Sequence, residues 1–79
     1  MCHVEKVIPQ KDFTLLVSFS DGEKKIFDAK PYLNQGIFRK LNDWNFFSQA
    51  QVGLGTVIWP DDLDIAPETL YLEGVSVLR

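Results

Sequence analysis

From Phe13 to Ser20 the odd positions Phe13, Leu15, Val17 and Phe19 are all apolar, while Thr14, Ser18 and Ser20 take three of the four even ones. A period of two marks a strand with one buried face. Before it, Val4-Glu5-Lys6-Val7-Ile8 is compatible with a strand that Pro9 closes, since proline has no N–H to offer a ladder, and Gln10-Lys11-Asp12 turns the chain. Asp21-Gly22 follows at once, a strong hairpin signal because glycine takes φ > 0 without steric cost. Glu23 to Ala29 is then the return strand, completing a three-stranded antiparallel meander. The hairpin has two possible registers. A two-residue turn sets Ile26 opposite Val17, whereas a three-residue loop ending in Gly22 sets Phe27 opposite Leu15, and one slip exchanges the faces. Size favours Phe27 inward.

The pattern then becomes helical. Pro31-Tyr32-Leu33 begins a short turn that Gly36 ends, and Ile37, Phe38 and Leu41 make one apolar stripe on a second helix, with Arg39 and Lys40 opposite. Asn42 or Asp43 can cap a further turn carrying Trp44, Phe46 and Phe47. Ala50-Gln51-Val52 and Thr56-Val57-Ile58-Trp59 predict a second β pair joined through Gly53-Leu54-Gly55, with Pro60-Asp61-Asp62 ending it. Pro67-Glu68 starts a closing helix, an acid near its positive end, and Gly74 stops it. Val75 to Arg79 reads as an extended or frayed tail. The fold class is α+β: a meander and a β pair covered by two or three short helices.

Composition explains how so short a chain sustains a core. Seventy-nine residues form one domain with no room for a second. Below about 80 residues a core needs staples or an unusual apolar content. Cys2 is the only cysteine, so an intramolecular disulfide is excluded and a reducing compartment is expected. Six Phe, two Trp and two Tyr take the place of cross-links. Met1 to Lys11 shows no leader pattern and no apolar run approaches a membrane span, so the expected location is the cytoplasm. Eight basic against eleven acidic side chains give a net charge of −3, the wrong sign for a dedicated nucleic-acid binder.

Reactive chemistry is sparse. His3 is the only histidine, which leaves no histidine-paired catalytic system unless His3 itself acts. Met1-Cys2-His3 sets an amine, a thiol and an imidazole together as a soft-metal trap, most simply adventitious. Asp61, Asp62 and Asp64, with Glu68, form the densest carboxylate cluster and the weak candidates for a hard cation. They lack the spacing of a calcium loop, and helix capping with a solvated turn accounts for them. Gly53-Leu54-Gly55 lacks the third Gly or the Lys-Ser/Thr of a phosphate loop and reads as a tight turn or bulge. Lys24-Lys25 and Arg39-Lys40 are the adjacent basic pairs, blandly a solvated face. Trp59 extends an apolar strand and belongs in the core. Trp44 follows the polar Asn42-Asp43, which leaves core and interface both open. Trp44, Arg39 and Lys40 are the interaction candidates; no catalytic residue and no cofactor is expected.

Phe19-Ser20-Asp21-Gly22, Phe27-Asp28 with Pro31, Gly36-Ile37-Phe38 with Leu41, Gly55-Thr56-Val57-Ile58-Trp59-Pro60-Asp61, and Asp64-Ile65-Ala66-Pro67-Glu68-Thr69-Leu70-Tyr71 together resemble domain-of-unknown-function family 2442 of bacteria. The resemblance runs over roughly residues 4 to 72. It implies a small α+β domain, with an appended helix-turn-helix domain in some members and frequent encoding beside another small protein, in an arrangement similar to toxin–antitoxin pairs. It implies no catalytic residue. Because the chain stops soon after Leu70-Tyr71, the regulator role of the longer members is not expected here.

The expected function is a non-enzymatic protein-interaction module, the antitoxin-like or accessory member of a two-gene system, whose sheet edges could pair with a small protein encoded nearby or with a second copy as a homodimer. The alternative is a nucleic-acid-associated transcriptional regulator, disfavoured by charge. A second alternative is a metal-binding protein or small enzyme.

Overall fold

A computed structural model describes residues 2–77. Its strands are β1 (Val4–Gln10), β2 (Thr14–Phe19) and β3 (Lys24–Asp28), followed by 3₁₀ turns over Lys30–Tyr32 and Gly36–Asn42, then α1 (Trp44–Phe47), β4 (Gln51–Gly53), β5 (Thr56–Trp59), β6 (Leu63–Ile65), α2 (Pro67–Glu73) and β7 (Val75–Ser76). The strands make two antiparallel sheets, ordered β1-β2-β3-β7 and β4-β5-β6. This is the expected α+β class with two strands more than the sequence pattern predicts.

The hairpin takes the longer of its two loops. Phe19 N–H donates to the Glu23 carbonyl at 2.8 Å and Gly22 N–H to the Phe19 carbonyl at 3.0 Å, with Gly22 at φ 92°. Leu15 therefore pairs with Phe27, as size favours. Phe27 is 1% exposed and Ile26 38%. Leu15, Val17 and Phe19 share that inner face and are buried. Pro9 does not close β1 but lies inside it, opposite Leu15. β1 is an outer strand of its sheet, where a residue without an N–H is tolerated.

The helical stretch departs from expectation in its pitch. Gly36, at φ 46°, begins the second turn rather than ending the first, and that turn is 3₁₀. At three residues per turn Phe38 and Leu41 eclipse, while Ile37 rotates away from them. Leu41 is fully buried, Phe38 half-buried and Ile37 69% exposed, so Ile37 leaves the predicted stripe. Asp43, not Asn42, caps α1: its Oδ1 accepts the Asn45 N–H at 3.1 Å. Asp43→Ala is expected to cost about 1 kcal/mol in a urea melt, with Asn42→Ala near neutral as the control.

β5 ends before Pro60 as predicted, but the carboxylate run beyond it hides a strand. Pro60–Asp62 is a three-residue loop, with Asp61 and Asp62 at φ 66° and 61°, that returns the chain as β6. Leu63 and Ile65 point inward and Asp64 outward, a two-residue period too short to stand out among acids. The predicted tail is also partly strand. α2 ends at the predicted Gly74, after which Val75 pairs with Ile26 and Ser76 with Lys25, and Val77 N–H donates to the Lys24 carbonyl at 2.9 Å. β3 would otherwise leave those edge groups without a backbone partner. The rest of that predicted tail, residues 78–79, lies outside the described residues.

One core joins the sheets. It gathers Val4, Leu15, Val17, Phe19 and Phe27 with Phe47, Val57, Trp59 and Leu70. Trp59 is 3% exposed, and its Nε1–H donates to the Phe47 carbonyl at 3.0 Å. Phe47 packs between Phe13 and Trp59, tilted against each, with ring centroids 5.2 and 6.1 Å away.

Candidate functional site

The structure disperses most of the residues that carry chemistry. Among the described residues no three His, Cys, Asp or Glu side chains gather as a metal site. Asp61 is bound to Lys40, whose Nζ lies 2.8 Å from its Oδ2 at the surface, while Asp62 stays in the loop and Asp64 on the outer side of β6. Met1 of the Met1-Cys2-His3 group lies outside the described residues. His3 is exposed, its backbone paired with Ser20: N–H to Oγ at 3.0 Å, carbonyl from N–H at 2.8 Å. Cys2 is half-buried beside a shallow apolar depression of about 200 Å³ lined by Pro67, Glu68, Tyr71 and Leu72. Of Gly53-Leu54-Gly55, Gly53 ends β4 opposite Thr56 and Leu54-Gly55 is the two-residue turn of the β4–β5 hairpin, with Leu54 at φ 53° and Gly55 at φ 78°.

The interaction candidates fare unequally. Trp44 packs edge-on against Phe13 at 6.0 Å and tilted against Phe47 at 5.8 Å, half-buried on the flank of the core. It stands at the margin of the core with part of its ring facing solvent. Arg39 is exposed, and Lys40 is exposed but committed to Asp61. Lys24 and Lys25 do not pool their charge: strand alternation sends Lys24 to the outer face of β3 and Lys25 inward.

Lys25 and α2 explain several of the distinctive residues structurally. Lys25 Nζ donates to the Tyr71 carbonyl at 2.8 Å and sits 4.0 Å from the centre of the Tyr71 ring. Tyr71 meets Phe19 edge-on at 4.9 Å, and its hydroxyl donates to Asp21 Oδ2 at 2.8 Å. Asp21 of the hairpin loop and Tyr71 of α2 thus lock helix to sheet. The hydrogen bond to Asp21 and desolvation push the Tyr71 phenol up to about 12. A raised phenol pKa means the contact stabilises the fold below about pH 10 and is lost as pH rises through about 12. Titrating the phenolate absorbance should show one tyrosine ionising near 12, and Asp21→Asn should return it toward the ordinary value near 10.

A surface the sequence did not single out is the outer face of the four-stranded sheet. Ile8 pairs with Leu16, Leu16 with Ile26 and Ile26 with Val75, so four aliphatic side chains form one row across all four strands. Ile8 is 42%, Ile26 38% and Val75 71% exposed, and Leu16 is half-buried. On one side of the row stand Lys6, Ser18 and Lys24, on the other Gln10, Thr14 and Asp28. Asp28 Oδ1 accepts the Lys30 N–H at 3.0 Å and lies 3.1 Å from Lys30 Nζ, which holds its carboxyl below the usual range, the backbone bond contributing most. The signal was in the sequence: Ile8, Leu16 and Ile26 are aliphatic at positions facing water. It becomes legible only once the register aligns them.

No helix among the described residues is long and apolar enough to cross a membrane. The family model described as "Protein of unknown function (DUF2442)" matches residues 4–76, spanning both sheets and α2. No curated protein and no solved structure matches the chain.

Proposed function

We propose that this chain, which belongs to the DUF2442 family, is a non-enzymatic protein-interaction module that presents the outer face of its four-stranded sheet to a protein partner. The aligned row of Ile8, Leu16, Ile26 and Val75 carries this reading. Aliphatic side chains in water across a whole sheet give up favourable burial of about 25 cal/mol per Å² of surface, and a partner recovers it. Trp44, half-covered by Phe13 and Phe47, and Lys40, held by Asp61, offer less. The setting proposed is the bacterial cytoplasm, with the chain as antitoxin-like or accessory member of a two-gene system and the neighbouring gene's product as a natural partner to try.

Purified chain is mixed with that product and run on a sizing column. A complex is expected, and Ile26→Asp should weaken it at least tenfold, or about 1.4 kcal/mol, at a temperature where far-UV circular dichroism shows the variant still folded. Loss on Trp44→Ala with Ile26→Asp harmless would overturn the placement of the surface. Association with neither that product nor a second copy would overturn the module itself.

A further inference from the structure

We infer that the outer face of the four-stranded sheet is self-complementary and seats a second copy of this chain, the two sheets packing face to face about a two-fold axis that runs along the aliphatic row. The inference rests on that face being the interaction surface and adds which partner it takes. Its ground is the charge pattern on either side of the row. On β3 the outer-facing residues run Lys24, Ile26, Asp28, so a cation and an anion straddle the central isoleucine at equal distances along the strand. Rotation by 180° about the row lays Ile26 on its own copy, Lys24 on the copy's Asp28 and Asp28 on the copy's Lys24. Both pairs form at once, as an isologous interface requires.

The other strands agree with this axis. On β2, Ser18 and Thr14 straddle Leu16, Thr14 being buried with its hydroxyl held by Gln10 and Asp12; on β1, Lys6 and Gln10 straddle Ile8, so neither strand sets a cation on a cation. At the paired strand positions no like charges are opposed, and the one cation the copy's Lys24 approaches is Lys30, already neutralised by Asp28 at 3.1 Å. A two-fold along the strands instead, between β2 and β3, would set Lys24 over Ser18 and Asp28 over Thr14, and neither charge would find an opposite. The charges therefore choose the axis as well as the partner. Sheets packed face to face cross at about −30°, so the contact is closest near the axis on the middle strands and opens toward the edges. Asp28 can accept the second cation, since its contacts with Lys30 use only Oδ1. Four strands about 4.8 Å apart and about five residues long span roughly 300 Å², short of the roughly 800 Å² per partner of a standard interface, which makes the dimer weak and concentration-dependent.

Sedimentation equilibrium tests this on the intact chain. The weight-average mass should rise from 9.0 kDa toward twice that value between about 10 µM and 1 mM. Lys24→Asp sets two anions against each other twice over and should weaken association at least tenfold; Asp28→Lys should do the same with cations. The double variant Lys24→Asp with Asp28→Lys reverses both pairs and should restore association to within about threefold of the parent. Asp28→Lys also removes the acceptor of the Lys30 N–H, so far-UV circular dichroism accompanies it; should that variant unfold, Lys24→Asp and Ile26→Asp decide alone. A chain that stays at 9.0 kDa throughout overturns the inference. If such a monomer still binds another protein through Ile26, the proposed function stands without it. Association that Lys24→Asp and Ile26→Asp leave untouched would place the dimer on another surface and overturn the inference equally.

Discussion

Trp59→Ala should abolish cooperative unfolding of this domain under conditions where the parent chain is folded. Trp59 is 3% exposed, packs tilted against Phe47 and donates its indole N–H to the Phe47 carbonyl at 3.0 Å. Truncating a buried large aromatic costs about 3 to 5 kcal/mol through lost transfer energy and the cavity left behind. At about 0.05 to 0.15 kcal/mol per residue, a chain of this length holds only about 4 to 12 kcal/mol in all. The variant therefore sits near or below the threshold for folding. Trp59→Phe separates the two contributions. It keeps a ring in the site but removes one of the two N–H donors to the Phe47 carbonyl, which retains the Ala50 N–H at 3.2 Å, an expected loss of about 0.5 to 1.5 kcal/mol. Urea melts followed by far-UV circular dichroism rank the three proteins. A Trp59→Ala chain that melts within about 1 kcal/mol of the parent would show that the aromatic stack is not what replaces disulfides here. Trp44→Ala should cost less than Trp59→Ala, because Trp44 is only half-buried.

Gly74→Ala is the second large effect, and its cause is steric rather than conformational. Gly74 sits at φ −71°, ordinary for any residue. Yet a Cβ there would come within 2.6 Å of the Leu70 carbonyl oxygen and 2.9 Å of Lys25 Cβ. The same carbonyl accepts the Gly74 N–H at 3.0 Å, so backbone cannot retreat without breaking the end of α2. Overpacking of this kind costs about 1 to 3 kcal/mol. It should fall first on β7, which hangs on Gly74. Hydrogen exchange reads this directly: the Val77 amide, which donates to Lys24, should lose protection while amides of β2 keep theirs. Uniform loss across both would mean that α2, β7 and the meander unfold as one unit.

How much was legible follows from how local each determinant is. The meander, the Asp21-Gly22 loop, the stop at Pro60 and the helix from Pro67 to Gly74 each rest on residues adjacent in sequence, and the structure has all of them. The register of β3 was decidable because burying Phe27 outweighs burying Ile26. The 3₁₀ pitch of Gly36–Asn42 was not, since Ile37, Phe38 and Leu41 fit an α-helical stripe and only packing shows which two of them stack. β6 and β7 have three and two residues, and strands that short take their identity from the neighbour they pair with.

The candidate site divides in the same way. Arg39, Lys40 and Trp44 were chosen because their residue types stand out, and the structure has already employed two of them, Lys40 with Asp61 and Trp44 with Phe13 and Phe47. The aliphatic row drew no notice because no two of its members are neighbours in the chain. By itself the sequence determined the class of fold, the family and the inner faces of β2 and β3, because alternation, turn chemistry and side-chain size act over a few residues. Tertiary structure alone decided that Val75 lies beside Ile26, Ile26 beside Leu16 and Leu16 beside Ile8, because backbone pairing between distant segments sets that alignment and no local pattern records it.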